Sequence, residues 1–204
     1  MTDYAEKYEP KTLKDMIIHD PNHVIMPILQ KYASGKLDEN CIFFGGAGAG
    51  KSTLAKVLTA DFYRSKGVND ITNFVHMSIA ENAAAYSTPF NNGTFFNGHV
   101  WWYILDDLDK CNHKNIMNVL HHTLNSRRGY KYIITVNSIA GFPDTILSRA
   151  TPFEIVSPTP EEFFPRAKQI VQLENIVASD EKIMQMLKAG ERNLRGYYRA
   201  IKYL

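Results

Sequence analysis

Short apolar runs alternate with longer amphipathic segments along the first three quarters of the chain. Five runs are short and apolar, as expected of strands buried on both faces of a sheet: Cys41–Phe44, Phe74–Met77, Val100–Leu105, Tyr132–Val136 and Phe153–Val156. Helices are predicted for Pro21–Ser34, for Thr53–Ser65 and for residues 113–126. Strands that alternate with helices predict an α/β fold, in which a five-stranded parallel sheet is covered by helices on both faces.

Two stretches of the chain lack this periodicity. Residues 1–20 contain Pro10, and we expect an extended leader followed by a short helical piece. Residues 81–98 are rich in Asn, Ala, Gly and Ser, a composition typical of irregular structure.

The alternation of strands and helices stops at Ser157–Pro160, where two prolines within four residues predict a hinge. Helical periodicity returns beyond it, in about Glu161–Glu174, Ser179–Ala189 and Asn193–Leu204. Ser179 is a plausible helix cap, and Gly190 a plausible helix stop. We therefore expect two domains: a nucleotide-binding core of residues 1–157 and a small helical lid of residues 158–204.

Composition narrows the class of protein without naming a function. The chain has 204 residues, 45% hydrophobic and 22% charged, with a net charge of +2, which does not by itself indicate nucleic-acid binding. No apolar run approaches the roughly 18 residues of a membrane span, and the first residues are polar. Cys41 and Cys111 lack a metal-type spacing. We expect a protein of the cytoplasm or nucleus that is neither secreted nor membrane-bound.

The strongest chemical signal is a glycine-rich segment between a predicted strand and a predicted helix. It matches the phosphate-loop pattern G-x-x-x-x-G-K-[ST] at every fixed position: Gly45, Gly46, Ala47, Gly48, Ala49, Gly50, Lys51 and Ser52. Loop amides and the helix start at Thr53 would bind phosphates. Lys51 would reach the β- and γ-phosphates, and the Ser52 hydroxyl would ligate Mg²⁺. The alternative is a glycine-rich turn that binds nothing; pattern and context both oppose it.

Polar residues follow two of the predicted strands. Asp106 and Asp107 end Val100–Leu105, where a carboxylate beside the phosphate loop would meet Mg²⁺. Asp106 fits the metal role and would bind Mg²⁺ through a water molecule, and Asp107 would polarise the attacking water. Both would otherwise be caps of the next helix. Asn137 closes the following strand, where it would bind the γ-phosphate and the water, or would otherwise be a turn residue.

A set of motifs resembles the ATPase subunits of clamp loaders. The family's opening, near E-K-Y-R-P-x-T-L-x-D, is similar to the segment from Glu6 to Asp15. The family's Walker B, sensor 1, S-R-C and sensor 2 motifs resemble, in the family's order, Ile104–Asp107, Thr135–Asn137, Leu147–Ala150 and Asn193–Arg195. The resemblance covers about residues 4–204 and implies an AAA+ core with a helical lid that binds ATP and Mg²⁺.

The resemblance also implies roles for single residues. Tyr8, Pro10 and Ile17 would help form the adenine pocket. Arg149 would be an arginine finger that reaches the γ-phosphate of a neighbouring subunit, and Arg195 would contact phosphate from the lid. The ordinary alternatives are a surface ion pair for Arg149 and a solvated helix charge for Arg195.

The sequence departs from the family in five places, one of which is the pair His121 and His122, where the family often has two Arg residues. Asp107 stands where the family usually has Glu, so that hydrolysis is expected to be slow. Glu9 replaces an Arg, and Ala150 replaces a Cys. We also expect the family's C-terminal helical collar to be missing, because the sequence stops at Leu204, where the predicted lid ends.

Three functions remain open from the sequence. The first is a clamp-loader-like ATPase of DNA replication or repair. It would assemble with other AAA+ subunits on double-stranded or primer–template DNA, with a sliding clamp or a helicase as partner. Its DNA contacts would include Lys110, Lys114, Arg127 and Arg128, which would otherwise be solvated surface charges. The second is a helicase loader or a small viral or phage replication helicase. The third is a nucleotide-dependent switch or scaffold that hydrolyses ATP weakly, as Asp107 favours.

Overall fold

A computed structural model of the protein describes residues 3–68, 75–78, 101–108, 124 and 130–204. Its centre is a parallel sheet of five strands: β1 (Cys41–Phe44), β2 (Val75–Ser78), β3 (Trp101–Asp106), β4 (Tyr130–Val136) and β5 (Thr151–Glu154). The strand order across the sheet is β2-β3-β4-β1-β5. The predicted α/β class with five parallel strands is confirmed.

The helices extend from the N-terminal leader, residues 3–20, to three C-terminal helices that correspond to the predicted lid and are called the lid below. They are α1 (Tyr4–Lys7), a 3-10 turn (Leu13–Asp15), α2 (Ile25–Ala33), α3 (Lys51–Ser65), α4 (Asp144–Leu147), α5 (Pro160–Leu173), α6 (Asp180–Ala189) and α7 (Leu194–Lys202). In the part of the chain that the structure describes, no helix is long and apolar enough to cross a membrane.

Strand β1 lies between β4 and β5, and this position determines where the site forms. Cys41 is in register with Ile133 of β4 on one side and with Thr151 of β5 on the other. Because all pairs are parallel, the loop that follows β1 meets the carboxyl ends of β3 and β4 at one edge of the sheet. This is the edge at which open α/β sheets bind ligands.

Side chains alternate between the two faces of the sheet, as the pleat of a strand requires. On β3, Trp102 and Ile104 pack with helices α2 and α3, whereas Tyr103 and Leu105 pack in a second apolar cluster on the opposite face. A third apolar cluster joins the helices α5, α6 and α7 around Phe163. Leader residues pack against this third cluster, so the leader contacts the lid.

Several element boundaries differ from the sequence predictions. The leader is not wholly extended, because Asp3 caps α1 by accepting a hydrogen bond from the Ala5 amide. Helix α2 begins at Ile25 rather than Pro21, because the Asp20 carboxylate accepts the Val24 and Met26 amides, both at 2.9 Å. The predicted helix 113–126 is described only at residue 124.

Strand β5 also starts and ends two residues earlier than the apolar run predicts. Its bounds are set by its pairing with β1, which runs from Thr151 opposite Cys41 to Glu154 opposite Phe44, the last residue of β1. The predicted irregular stretch 81–98 lies outside the described residues, as do the proposed DNA contacts Lys110, Lys114, Arg127 and Arg128.

Candidate nucleotide-binding site

A cavity of about 370 Å³ opens between the leader, the glycine-rich loop and the lid. Most of the predicted site residues line it: Pro10, Ile17, Ala47, Gly48, Gly50, Lys51, Ser52, Thr53, Asp107, Asn137 and Arg195. The other predicted residues do not: Tyr8, Gly45, Gly46, Ala49, Asp106 and Arg149. The glycine-rich end is called the phosphate end here, and the end bounded by Pro10 and Ile17 is called the base end.

The loop turns directly after β1 because its first glycine permits a conformation that other residues rarely adopt. Gly45 has a φ of 144°, and a Cβ at this position would lie 2.2 Å from the carbonyl oxygen of Ile155. The chain then turns into α3, whose first residue is Lys51. The first-turn amides of a helix have no intrahelical acceptor, so this end of α3 favours an anion.

Lys51 is held at the mouth of the loop. Lys51 is buried, with only 6% of its surface exposed. Its Nζ donates to the carbonyl oxygens of Gly45 at 2.9 Å and Gly46 at 3.0 Å, and to Oδ1 of Asn137 at 3.1 Å. The ammonium group therefore links the loop to the carboxyl end of β4. Phosphate oxygens are stronger partners for an ammonium than neutral carbonyls are.

A chain of oxygen atoms joins the helix to two strands beside Lys51. Oγ of Ser52 donates to Oδ1 of Asp106 at 2.7 Å, and the same carboxylate oxygen accepts from Oγ1 of Thr135 at 2.5 Å. Mg²⁺ prefers hard oxygen ligands and commonly takes one or two from protein and others from phosphates. The residues present fit this ion, and Ser52 and Asp106 would hold it.

Thr135 is a site residue that the sequence analysis quoted in a motif but gave no role. It is fully buried, and its Oγ1 accepts the amide of Asp107 at 3.0 Å while donating to Asp106. One hydroxyl thus fixes the two consecutive acidic residues. The available signal was a hydroxyl side chain near the end of an otherwise apolar buried strand.

Asp107 adopts a left-handed backbone conformation, with a φ of 54°. This region is uncommon for residues other than glycine, although Asp tolerates it better than most. The turn directs the chain away from β3 directly after Asp106, the last residue of that strand. Asp107 lines the cavity at its phosphate end. Its location suits a group that would orient a water molecule.

The lid contacts the phosphate loop directly. The Leu194 amide donates to the Gly48 carbonyl at 3.1 Å. Gly48 has a φ of 76°, and a Cβ there would lie 2.9 Å from Cγ of Asn193. Asn193 in turn caps α7 by accepting the Gly196 amide at 2.8 Å. Arg195, in the first turn of α7, is thereby brought to the cavity wall.

Tyr8 lies behind the cavity wall rather than in it. Its hydroxyl and the Lys7 ammonium both donate to the Glu174 carboxylate at the end of α5. Its carbonyl accepts from Nη2 of Arg166 and from the Tyr198 hydroxyl, both at 3.2 Å. The bonds from Lys7 and Tyr8 hold the pKa of the Glu174 carboxyl below its usual range. Tyr8 therefore fastens the leader to the lid.

Arg149 lies away from this cavity, between α4 and β5. Arg149 is partly exposed, and its Nη1 donates to the Thr145 carbonyl. Its carbonyl accepts from Nδ2 of Asn40 at 3.1 Å, and Asn40 also accepts the Tyr132 amide at 3.0 Å. Asn40 thus ties the Arg149 backbone to β4. A role of Arg149 in the site of a neighbouring subunit stays a prediction.

Curated relatives of this chain are replication proteins. The chain is 23% identical over 197 residues to replication factor C subunit 5 of Mus musculus, covering 94% of this chain and 57% of that protein. It is 21% identical over 211 residues to DNA polymerase III subunit gamma of Buchnera aphidicola, covering 94% and 56%. The chain thus spans less than two thirds of these relatives. No protein-family profile matches it.

Solved structures share the fold. RuvB of Thermotoga maritima, a Holliday junction branch migration motor, superposes with a TM-score of 0.71 at 18% identity over 96% of this chain and 64% of its own. AMPPCP-bound DnaA of Aquifex aeolicus gives a TM-score of 0.68 at 19% identity, covering 95% and 64%. The chain has the fold of these AAA+ proteins and resembles clamp-loader ATPase subunits over 94% of its length.

Proposed function

We propose that this chain binds and hydrolyses Mg²⁺–ATP as a clamp-loader-like AAA+ ATPase of DNA replication or repair. The observation that carries the proposal is the network at the phosphate end, where Lys51 bonds to the loop carbonyls and to Asn137, and Ser52 bonds to Asp106. The similarity to replication factor C and DNA polymerase III subunits supports the biological setting. In this setting the chain would act in the cytoplasm or nucleus, with residues 1–157 as core and 158–204 as lid.

Each residue of the site would have its own role in binding or hydrolysing ATP, set by its position. Loop amides and Lys51 would bind the triphosphate, and bound Mg²⁺ would supply neutralisation of the charge on its oxygens. Asp107 would accept a proton from the attacking water, and Asn137 would orient that water and the γ-phosphate. Arg195 would contact phosphate from the lid. Lys51 would exchange its carbonyl partners for phosphate oxygens when ATP enters.

Assembly on DNA is the second half of the proposal. Arg149 is partly exposed and does not line the cavity of its own chain, which suits a residue that completes the site of an adjacent subunit. Other AAA+ subunits and double-stranded or primer–template DNA are the proposed partners, together with a sliding clamp or a helicase. ATP binding would close the subunit interfaces, and hydrolysis aided by Arg149 would release them.

The proposal is tested by steady-state ATP hydrolysis with Mg²⁺, with and without primer–template DNA. Asp107→Asn should lower kcat about 100-fold, the lower range for loss of a general base, without weakening ATP binding. Asp38→Asn, a change of an exposed carboxylate, is the matched control and should leave kcat unaltered. Unchanged turnover in Asp107→Asn would remove Asp107 from the mechanism.

Assembly into a larger particle is tested by a separate measurement of mass. The mass of the particle with an ATP analogue and DNA should exceed that of the nucleotide-free chain. Arg149→Ala should lower turnover of the assembly while leaving ATP binding by the single chain intact. A chain that stays monomeric with nucleotide and DNA at all concentrations would contradict the role of Arg149 in a neighbouring site.

A weakly hydrolysing switch is the second candidate, and Asp107 favours it. Its side chain is one methylene shorter than the Glu that the resemblance leads one to expect, so a water would sit less well. Under this alternative, ATP would bind and change the assembly, but Asp107→Glu would raise turnover above that of the natural chain. The same assay therefore separates the two candidates.

A further inference from the structure

The candidate nucleotide cavity contains more acidic side chains than an anionic ligand would favour. Four of them line it: Glu6, Glu9, Asp15 and Asp107. Asp107 belongs to the phosphate end. The Asp15 carboxylate is already engaged, because its Oδ2 accepts from the Thr12 amide at 3.0 Å and the Thr12 hydroxyl at 2.8 Å. The contacts of Asp15 and the location of Asp107 thus account for two of the four carboxylates. Glu6 and Glu9 are the two that remain without an assigned role.

Glu9 lies where the phosphate end meets the base end. Its Oε1 accepts a hydrogen bond from Oγ1 of Thr53 at 3.3 Å, and Thr53 lies in the first turn of α3, directly after Ser52. The next residue in the chain, Pro10, lines the base end. Glu9 is therefore attached to the phosphate-binding helix on one side and to the base end on the other.

The lid also approaches Glu9. Burial is the largest cause that raises the pKa of the Tyr198 phenol, and the nearby Glu9 charge adds to it. Tyr198 itself lines the cavity. The Glu9 carboxylate thus lies at a junction of the core, the leader and the lid. Its second oxygen, Oε2, accepts no hydrogen bond from the described part of the chain.

A nucleoside triphosphate carries its groups in a fixed order, with the ribose between the phosphates and the base. If the phosphates lie on the loop and the base lies against Pro10 and Ile17, the ribose falls at the junction that Glu9 occupies. A carboxylate repels phosphate, but it is a strong acceptor for hydroxyl groups, and bonds to a charged acceptor are the stronger ones. The two adjacent hydroxyls of ribose match the acceptors of one carboxylate.

We propose that Glu9 accepts hydrogen bonds from the 2′- and 3′-hydroxyls of the bound nucleotide and so selects ribonucleotides over deoxyribonucleotides. The inference rests on the proposed function, because it needs a nucleotide in this cavity. It is particular to this chain, since the clamp-loader pattern that the leader resembles has an Arg at this position. The Thr53 hydroxyl holds one carboxylate oxygen in place and thereby aims the other at the sugar.

The test compares the affinities of ATP, 2′-deoxy-ATP and 3′-deoxy-ATP by titration calorimetry with Mg²⁺. The natural chain should bind ATP about tenfold more tightly than either analogue, as expected for one hydrogen bond to a charged acceptor. Glu9→Ala should bring the three affinities together. Because loss of the Glu9 charge would change all three affinities alike, the ratio between them is the informative quantity.

Glu181→Ala is the matched control, because Glu181 is an exposed lid residue outside the cavity, and the tenfold ratio should persist in it. Equal binding of ATP and both analogues by the natural chain would overturn the inference while leaving ATP binding intact. A ratio that persists in Glu9→Ala but is lost in Glu6→Ala would also overturn it. Failure of the natural chain to bind any of the three would instead contradict the proposed function.

Discussion

The two ends of the cavity are built in different ways. The phosphate end comes from one continuous segment, β1 through α3, completed by the ends of β3 and β4. The base end joins parts of the chain that lie far apart, as the bonds of Lys7 and Tyr8 to Glu174 show. The first is determined by a local turn and sheet register. The second depends on how the lid helices pack against the leader.

The largest effect is expected at the phosphate end. Lys51→Ala should weaken ATP binding about 100-fold, or about 2.7 kcal/mol, because it removes a charge-assisted contact to phosphate. Calorimetric titration measures this loss. Lys56→Ala, one and a half turns further along α3 and outside the cavity lining, is the control and should bind ATP normally. Equal affinities of the two variants would contradict a phosphate site at Lys51.

The rigidity of the phosphate end can be tested without any ligand. Gly45→Ala should lower the free energy of unfolding by about 2 kcal/mol, because the new Cβ meets the Ile155 carbonyl and the backbone φ is strained. Gly46→Ala is the control, since a Cβ there has nothing within 4 Å. Urea denaturation of both variants measures the difference. Similar midpoints would mean that the turn tolerates a side chain.

The base end should respond only to ligands that carry a base. Ile17→Ala should weaken ATP binding about fivefold, as expected for losing about 1 kcal/mol of apolar contact, and should leave binding of inorganic tripolyphosphate unchanged. Ile18→Ala offers a neighbouring control, because Ile18 packs against the cluster beneath α2 and α3 rather than lining the cavity. If both ligands weakened in parallel in Ile17→Ala, the division into two ends would be wrong.

The smallest effect concerns the attachment of the leader to the lid. Lys7, then Tyr8, lower the pKa of the Glu174 carboxyl, so its stabilising contribution is present above the ordinary Glu pKa of about 4.3. That contribution is lost as the pH falls through the depressed pKa. Glu174→Gln should therefore lower the thermal midpoint by a similar amount from pH 7 down to about pH 5, and the difference from the natural chain should shrink below about pH 4, as the pH approaches the depressed pKa.

Glu39→Gln is the control for this pH series, because Glu39 is exposed in the connection between α2 and β1. It should follow the natural chain at every pH. A gap between Glu174→Gln and the natural chain that stayed constant down to about pH 2 would show that the Glu174 charge is not what holds the leader.

The difference between locally determined parts of the structure and parts that depend on distant packing explains what the sequence could predict. Strand β1 and the end of α3 at Ser65 match their predicted bounds, because a buried apolar run and a following Gly67 are local signals. Helix α1 was missed, since four residues carry too little periodicity and the helix packs on a lid more than 150 residues away. Thr135 was given no role, because its function depends on the register of β3 beside β4.

Tyr8 shows the limit most clearly. A leader motif indicated a residue near the base, and the chain does pass there, since Glu9 and Pro10 line the cavity. The Tyr8 hydroxyl bonds to Glu174, and the Tyr8 carbonyl accepts from Arg166 and Tyr198, three residues that all belong to the lid. A motif can therefore identify a segment of a site without identifying which of its side chains contacts the ligand.

One measurement tests the two-ended site most directly: a crystal structure with Mg²⁺ and a non-hydrolysable ATP analogue. We predict that Nζ of Lys51 leaves the Gly45 and Gly46 carbonyls for phosphate oxygens, while Ser52 and Asp106 flank the metal. The base should lie against Pro10 and Ile17. Phosphates bound away from Lys51, or a base outside the space between leader and lid, would contradict the account.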